Sequence, residues 1–232
     1  MAKCIAIIPA RVGSKRIPKK NIKDFKGKPI IAYTIEVAQE SKLFDRVVVS
    51  TDDEEIANIS KSYGAEVPFL RPKELSGDFT GTGDVVTHTL EWFSSQGKTF
   101  DYVCTLYATA PFLQEEYMIE GYNALSKSDA MHAFSATSMP YPIQRTFKLN
   151  DVGRCEMFTP EHFTTRSQDL EEAYQDAGQF YWTKVNEKSD DIMFGKDSIP
   201  IILPRHLVHD IDTFEDWKRA EVIYESIIRK LK

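Results

Sequence analysis

The chain has 232 residues, a formal net charge of −6 and a hydrophobic fraction of 42%. This size is typical of one α/β domain with a sizeable core, and the acidic balance argues against a general nucleic-acid binder, which spreads positive charge over one face. No apolar stretch is long enough for a membrane span, and Pro9 cuts the N-terminal one short of a signal-peptide core. We therefore expect a cytoplasmic protein that binds neither nucleic acid nor membrane.

The first predicted strand, residues 4–8, runs directly into a basic loop at residues 9–21. This loop contains five cations, and the residues that we single out in it are Arg11, Gly13, Ser14, Lys20 and Asn21. A buried strand that ends in a basic, glycine-containing loop presents backbone N–H groups and cations to polyphosphate. The alternative is a solvated basic face, which is the usual state of such runs. The loop matches neither the dinucleotide fingerprint nor the Walker A pattern.

Strand and helix patterns alternate along the first part of the chain. Apolar runs typical of buried strands occupy residues 46–50, 66–70, 102–107 and 131–136. Amphipathic segments lie between them: one begins at Pro29, one covers 54–63 with Asp52 as its N-cap, and one covers 85–93. This alternation predicts a mostly parallel sheet with helices on both faces. Ligands of such sheets bind beyond the carboxyl ends of the strands, where the basic loop lies.

The second half of the chain is less regular. Residues 141–158 resemble an antiparallel excursion, residues 199–203 form a late strand, and a last helix passes through 217–227. We interpret residues 141–174 as a lobe inserted into a single domain that spans residues 1–232. Such a lobe is suited to substrate binding or to dimerisation.

Arg71 follows the third predicted strand, and the loop at residues 76–82 is small and rich in hydroxyl groups. A guanidinium and the hydroxyls of Thr80 and Thr82 match the O2, N3 and amino edge of a pyrimidine. An ordinary loop with a helix N-cap at Thr80 or Thr82 explains the same residues.

Asp210 and Asp212 lie two residues apart, so that both carboxylates point the same way in an extended segment. Such a pair suits Mg²⁺, which takes one or two protein carboxylates together with phosphate oxygens and waters. The alternative is a helix start, in which Asp212 or Thr213 is the N-cap and Thr213 with Asp216 forms a capping box. Both interpretations can hold together. The residues alone indicate a nucleotide-and-magnesium enzyme of unknown substrate.

The order of motifs along the chain adds a resemblance. The pattern I-P-A-R-x-G-S-K-R-x-P-x-K-N at residues 8–21 resembles the N-terminal signature of the acylneuraminate cytidylyltransferases. Further matches are S-T-D at 50–52, R-P-x-E-L at 71–75, T-A-P at 109–111, R-x-Q-D at 166–169 and D-x-D-T at 210–213. The resemblance therefore covers nearly the whole chain. It implies a three-layer Rossmann-like nucleotidyltransferase fold, Mg²⁺ as cofactor, CTP and a nonulosonic acid as substrates, and a homodimer built by the inserted lobe.

A branch of that family is also indicated. Sialic acid enzymes tend to carry Q-P-T-S-P after the fourth strand and N-G near the aromatic strand, whereas this chain has Y-A-T-A-P at 107–111 and D-A-G-Q-F-Y-W at 176–182. These segments, with R-S-Q-D-L-E-E-A-Y at 166–174, are similar to the enzymes that activate pseudaminic acid. That sugar ends in a methyl group, which suits the largely apolar Tyr107. The resemblance thus implies CMP transfer from CTP to the anomeric hydroxyl of pseudaminic acid, with N-acetylneuraminic acid or another nonulosonic acid as the alternative.

The resemblance also implies roles for individual residues. The catalytic residues are Arg11, Lys20 and Asp212. The CTP-binding residues are Arg11, Gly13, Ser14, Lys20, Asn21, Arg71, Thr80 and Thr82. The metal ligands are Asp210 and Asp212, and the sugar-site residues are Tyr107, Arg166, Gln168 and Gln179.

Two other classes of protein remain as alternatives. A nicotinamide dehydrogenase shares the alternating pattern, but the glycine fingerprint is missing from this sequence. A non-catalytic nucleotide-binding module would show salt-sensitive affinity for polyanions without turnover.

Overall fold

The computed structural model describes residues 2–77, 80–185 and 192–231. In these ranges the strands are β1 (Cys4–Pro9), β2 (Asp24–Phe25), β3 (Lys28–Pro29), β4 (Arg46–Ser50), β5 (Tyr102–Leu106), β6 (His132–Ser138), β7 (Phe147–Leu149), β8 (Cys155–Met157), β9 (Tyr174–Lys184) and β10 (Ser198–Ile202). The helices are α1 (Ile30–Glu40), α2 (Glu54–Ser62), α3 (Thr82–Ser95), α4 (Glu115–Ser126) and α5 (Phe214–Leu231). None of them has the length and apolar character that a membrane crossing requires.

A six-stranded sheet in the order β10-β6-β9-β5-β1-β4 forms the middle layer. Strand β1 pairs in parallel with β4 and β5, and β10 pairs in parallel with β6. Strand β9 lies antiparallel between β5 and β6. The expected α/β architecture with a mostly parallel sheet is confirmed.

The apolar run of β1 is buried on both faces, as expected for a central parallel strand. Ile8 packs in one cluster with Ile35 of α1, whereas Ile7 packs in another with Phe93 of α3. Successive residues of a strand point to opposite faces, so this division places helices on both sides of the sheet. Helix α5 closes one end of the molecule, where Trp217 packs edge-on against Phe25.

The prediction of a strand at residues 66–70 is wrong. This segment touches the edge of the sheet only through isolated bridges, from Glu66 to Val48 and from Leu70 to Thr51. Pro68 lies between the two bridges and has no backbone N–H to donate, which interrupts a continuous ladder. The chain is nevertheless held there, because the Arg71 N–H donates to the Thr51 carbonyl oxygen at 2.7 Å.

An irregular β-bulge divides β9. The register with β6 shifts between Phe134 and Ala136, so that residues 177–180 lie opposite Ser135 alone. The Ser135 hydroxyl accepts the N–H groups of Gln179 and Phe180 at 3.1 and 3.2 Å, which satisfies donors that the ladder leaves unpaired.

The antiparallel excursion that the sequence predicted lies within residues 141–174, the segment expected to form the lobe. Strands β7 and β8 pair antiparallel in a separate two-stranded sheet, with Phe147 opposite Met157. Several large apolar side chains of this lobe face solvent: Tyr141, Ile143, Phe147, Leu149, Val152, Phe158 and Phe163.

Candidate active site

The basic loop leaves β1 at the carboxyl edge of the sheet and folds back on itself. The Asn21 amide Nδ2 donates to the Arg11 carbonyl oxygen at 2.9 Å, and the Ser14 N–H donates to the Val12 carbonyl oxygen at 2.8 Å. These bonds close the loop, and Arg11 and Ser14 both line the space above the strand ends.

That space is a cavity of about 450 Å³, which we call the basic cavity. It is lined mostly by the basic loop and by the chain after β5: Pro9, Arg11, Gly13, Ser14, Lys15, Arg16, Lys20, Asn21, Thr82, Tyr107, Ala108, Thr109 and Asp212. All five residues singled out in the basic loop therefore meet here. Lys15, Arg16 and Thr109 belong to the same motifs but were not among the expected site residues.

Lys20 links the basic loop to the segment before α5. Its Nζ donates to the Ile211 carbonyl oxygen at 2.8 Å and to Asp212 Oδ1 at 3.2 Å. The other carboxylate oxygen of Asp212 lies 2.7 Å from a guanidinium nitrogen of Arg16. A single carboxylate thus holds two cations at the wall of the basic cavity.

A smaller cavity of about 160 Å³ adjoins the basic cavity, with Arg11, Asn21 and Thr82 lining both. We call it the small cavity; Arg71 and Thr80 also line it. The Arg71 side chain is only 3% exposed, and its nearest described carboxylate, Asp52, lies 3.9 Å away. Burial lowers the pKa of this guanidinium, although nearby Asp52 raises it in part. Asp78 and Phe79 of the predicted pyrimidine loop lie outside the described residues.

The N-terminus of α3 faces the same region. Gly81 is the N-cap, rather than Thr80 or Thr82, and its N–H donates to Asp84 Oδ2 at 3.2 Å. Thr82, the first residue of the helix, lines both cavities. The unpaired N–H groups and the dipole of a helix N-terminus favour negative charge, which adds to the effect of the cations.

A third cavity of about 610 Å³ lies on the other side of Thr82 and Tyr107, which line it as well as the basic cavity. We call it the large cavity. The Tyr107 and Tyr181 rings lie 5.2 Å apart, and the Tyr181 hydroxyl donates to Asp176 Oδ2 at 2.6 Å. Apolar walls come from α3 and from Met193 and Phe194. The basic cavity and the small cavity therefore lie beyond the carboxyl end of β1, whereas the large cavity extends from Tyr107 along the face of the sheet as far as Met131 and Lys184.

Sequence reasoning did not select Asp176 or Tyr181 for this cavity. The two residues are five apart in β9, and simple alternation along a strand would place them on opposite faces. The bulge opposite Ser135 changes the alternation and brings both to the large cavity. The aromatic strand around Tyr181 was the available signal, but the bulge itself has no clear mark in the sequence.

The other expected sugar-site residues line none of these three cavities in this chain. The Arg166 side chain is 72% exposed in the lobe, where its Nε donates to Asp169 Oδ2 at 2.7 Å. Gln168 is exposed nearby. Gln179 is buried, and its Nε2 donates to the Leu207 carbonyl oxygen at 2.6 Å.

Asp210 and Asp212 line different cavities, because the segment that carries them is not a regular strand. Asp210 lines a fourth cavity of about 290 Å³ together with Asp216, Arg205 and Arg219. Burial raises the pKa of the Asp210 carboxyl, and the charge of Asp212 raises it further. The two carboxylates are therefore close enough to repel each other.

The capping interpretation of this segment is also correct. The Thr213 N–H and hydroxyl donate to Asp216 Oδ2 at 2.8 and 2.7 Å, and the Asp216 N–H donates to the Thr213 hydroxyl at 3.2 Å. This reciprocal pair begins α5 and leaves the carboxylates of Asp210 and Asp212 outside the cap. In α2, by contrast, the N-cap is Asp53 rather than the expected Asp52, since Asp53 Oδ1 accepts the Ile56 N–H at 2.9 Å.

The mixed sheet with a basic loop after its first strand is the fold of the nucleotidyltransferases. A solved structure of CMP:2-keto-3-deoxy-manno-octonic acid synthetase complexed with CTP superposes with a TM-score of 0.68 at 14% identity, covering 97% of this chain and 99% of that one. More particularly, the chain belongs to the cytidylyltransferase family, whose model matches residues 5–200.

Two curated relatives narrow the comparison. The pseudaminic acid cytidylyltransferase of Campylobacter jejuni is 46% identical over 96% of this chain and 97% of its own length. A Helicobacter pylori protein named pseudaminic acid cytidylyltransferase and UDP-2,4-diacetamido-2,4,6-trideoxy-beta-L-altropyranose hydrolase is 37% identical over 99% of this chain, which spans 44% of that longer protein.

Proposed function

We propose that this cytidylyltransferase transfers CMP from CTP to the anomeric hydroxyl of pseudaminic acid, giving CMP-pseudaminic acid and pyrophosphate. The observation that carries the proposal is that the basic cavity adjoins the large cavity. Thr82 and Tyr107 border both the basic cavity and the large cavity, so a triphosphate and an acceptor sugar would meet there. The 46% identity to a relative of that name over nearly all of both chains supports the choice of sugar.

The triphosphate would occupy the basic cavity. Arg11 and Lys20 would neutralise phosphate charge, while Gly13, Ser14 and Asn21 would orient the phosphates. The sugar hydroxyl would lose its proton and attack the α-phosphorus; a new P–O bond would form as the bond from the α-phosphorus to the bridging oxygen breaks, and pyrophosphate would leave in line. Such transfers are catalysed by positioning and charge stabilisation without a covalent enzyme intermediate.

The cytosine would occupy the small cavity, against Arg71, Thr80 and Thr82. The volume of about 160 Å³ and the hydroxyl and guanidinium donors suit a pyrimidine ring. Within the described residues, the carboxylate nearest to the Arg71 guanidinium is that of Asp52, at 3.9 Å. The Arg71 Nε donates to the Ser76 hydroxyl at 3.4 Å, and the other guanidinium donors would recognise a base edge.

Asp210 and Asp212 fit a magnesium ion. Burial raises the pKa of the Asp210 carboxyl and the charge of Asp212 raises it further, and a divalent cation would favour the ionised form of both carboxylates. Mg²⁺ needs only one or two protein carboxylates when phosphates supply further oxygens. When bound, the ion would supply charge neutralisation for the triphosphate. Asp212 now pairs with Lys20 and Arg16, and the arriving phosphates would compete for those cations.

The sugar would occupy the large cavity, with Tyr107 at its junction with the phosphates. The cavity combines apolar walls with polar groups such as Asp176 and the Tyr181 hydroxyl, which suits a sugar that carries a methyl group as well as hydroxyls. Arg166 and Gln168 line none of the three cavities of their own chain. They would reach a sugar only from the lobe of a second copy.

We propose that this second copy forms a homodimer through the lobe. Tyr141 is 78% exposed and Phe163 is 73% exposed, in a lobe that presents several other large apolar side chains to solvent. Contiguous exposed apolar surface on a soluble domain marks an interaction site. Burial of this surface against an identical lobe would remove it from water.

Pyrophosphate release tests the proposed function. The protein should release pyrophosphate with CTP, Mg²⁺ and pseudaminic acid together, and the rate should vanish when any one of the three is omitted. A protein that binds CTP without turnover under these conditions would be a nucleotide-binding module, and the proposal would be wrong.

A further inference from the structure

Gln179 is a buried amide in the bulge of β9, and its side chain contacts the backbone rather than a cavity. Its residue is 3% exposed, and Nε2 donates to the Leu207 carbonyl oxygen at 2.6 Å. Its Oε1 is buried without a hydrogen-bond partner among the described residues. Because a carbonyl oxygen only accepts, the Leu207 contact determines which end of the amide faces it.

The main chain of Gln179 is also held. Its N–H donates to the Ser135 hydroxyl at 3.1 Å, and its carbonyl oxygen accepts the Tyr107 N–H at 3.1 Å. One residue therefore connects Tyr107, at the junction of the basic and large cavities, with Leu207, three residues before Asp210. This connection depends on the bulge, which turns Gln179 towards Leu207.

The segment at residues 207–213, which we call the carboxylate segment, is anchored downstream by other contacts. Lys20 Nζ donates to the Ile211 carbonyl oxygen at 2.8 Å, and the Thr213–Asp216 pair holds the start of α5. At the upstream end, the bond from Gln179 ties the segment to the sheet. Loss of that bond would release the Leu207 carbonyl oxygen, while the Leu207 side chain would stay in its core cluster with Ile211 and Trp217 and the downstream anchors would remain.

We propose that Gln179 is a positioning residue, which acts through the Leu207 carbonyl to hold Asp210 and Asp212 at a fixed place relative to Tyr107. This role replaces the sugar contact expected from the sequence, and it rests on the proposed function of the two carboxylates as metal ligands. A buried side chain that orients a metal-binding segment affects metal affinity without touching substrate.

The test is Gln179→Leu, which keeps the bulk of the side chain and removes its donor. Hydrogen–deuterium exchange of the free protein should be faster in the carboxylate segment than in wild type. Mn²⁺ binding in the presence of CTP, measured by electron paramagnetic resonance, should weaken about tenfold. The KM for the sugar should not change. The matched control is Thr89→Val, which removes a buried hydroxyl that donates to the Val85 carbonyl oxygen at 2.8 Å within α3.

Three results would overturn the proposal: wild-type exchange and Mn²⁺ affinity in Gln179→Leu, a raised sugar KM with unchanged Mn²⁺ affinity, or an equal loss of Mn²⁺ affinity in Thr89→Val. Exchange is measured without substrates. Failure of the wild-type protein to turn over would therefore count against the proposed function, whereas normal exchange in the variant would count against the role of Gln179.

Discussion

Lys20 Nζ lies 3.2 Å from Asp212 Oδ1, so that the first loop of the sheet and the segment before the last helix share one ion pair at the basic cavity. The pair joins a cation expected to bind phosphate with a carboxylate expected to bind metal. Each partner neutralises the other in the free protein. Binding of CTP with Mg²⁺ would replace this pair by two new ones, Lys20 with phosphate and Asp212 with the ion.

Lys20→Ala should raise the activation free energy of turnover by roughly 3 kcal/mol, because a preorganised cation that faces charge in the transition state is lost. The fold should survive, since the Nζ contacts are confined to the carboxylate segment. Lys19→Ala is the matched control: Lys19 pairs with Glu55 at 2.5 Å and does not line the basic cavity. Steady-state pyrophosphate release from the two folded variants is the measurement. Equal rates in both would show that the loop does not act on the phosphates.

Asp210→Asn and Asp212→Asn should each lower turnover severely and raise the Mg²⁺ concentration needed for activity. The reason is that the metal's stabilisation of transition-state charge, which is worth several kcal/mol, is weakened. Both variants should melt near the wild-type temperature, because Thr213 still caps α5. Activity titrated against Mg²⁺, alongside thermal melting, tests this. A wild-type magnesium response in both variants would leave the carboxylates without a metal role.

Asp216→Asn tests the cap of α5: it should lower the free energy of unfolding, because Thr213 loses its carboxylate partner. Hydrogen bonds from Thr213 lower the pKa of Asp216 below its ordinary value of 3.8. A group whose pKa is lowered in the folded state contributes stability above its unfolded pKa, and that contribution is lost as the pH falls through the folded value. The stability difference between wild type and variant should therefore be present at neutral pH and disappear in acid. Thermal melting across this range provides the measurement, and a difference that persists in acid would be inconsistent with the cap.

Much of this site was predictable because its signals are local. The apolar run of β1 and the cations that follow it are contiguous, and the pairing of Thr213 with Asp216 depends on a spacing of three. The contact between the Gln179 side chain and Leu207 was not predictable, because the side chain's orientation depends on a register shift between β6 and β9 rather than on its neighbours in sequence. The strand predicted at 66–70 was wrong for a local reason, since one proline outweighed an apolar pattern.

Arg71→Lys should weaken CTP binding by about 1.5–3 kcal/mol, the range for hydrogen bonds that involve a charged group. The flat guanidinium presents several donors in one plane, whereas an ammonium does not. Arg46→Lys is the control, because Arg46 pairs with Glu66 at 2.6 Å on the edge strand and lines none of the three cavities. Calorimetric titration with CTP gives both affinities. Similar affinities in the two variants would remove Arg71 from the cytosine site.

A double variant of the lobe, Leu149→Glu with Phe163→Glu, should convert the proposed dimer into a monomer, because two charges would have to be buried at the interface. Val222→Glu, an equally exposed apolar site on α5, should leave the assembly unchanged. Sedimentation velocity distinguishes the species. If the wild-type protein itself sediments as a monomer, the lobe does not form a dimer.

Tyr107→Gln should narrow the preference between sugars without reversing it. Tyr107 borders both the basic and the large cavity and is 38% exposed, so an amide can replace the ring without disturbing the core. One methyl-sized difference is worth only about 1–3 kcal/mol, so most of the discrimination must come from polar groups left unpaired by the wrong stereocentres. Kinetics of the variant on both sugars measure the change; a full reversal would assign the whole preference to Tyr107.

The most direct measurement of the central claim is kcat/KM for purified pseudaminic acid and for N-acetylneuraminic acid, each with saturating CTP and Mg²⁺. We expect pseudaminic acid to be preferred by more than about tenfold, because a mismatched sugar leaves buried polar groups of the large cavity without partners. Equal efficiency, or a preference for N-acetylneuraminic acid, would contradict this account and place the protein with the enzymes that activate sialic acid.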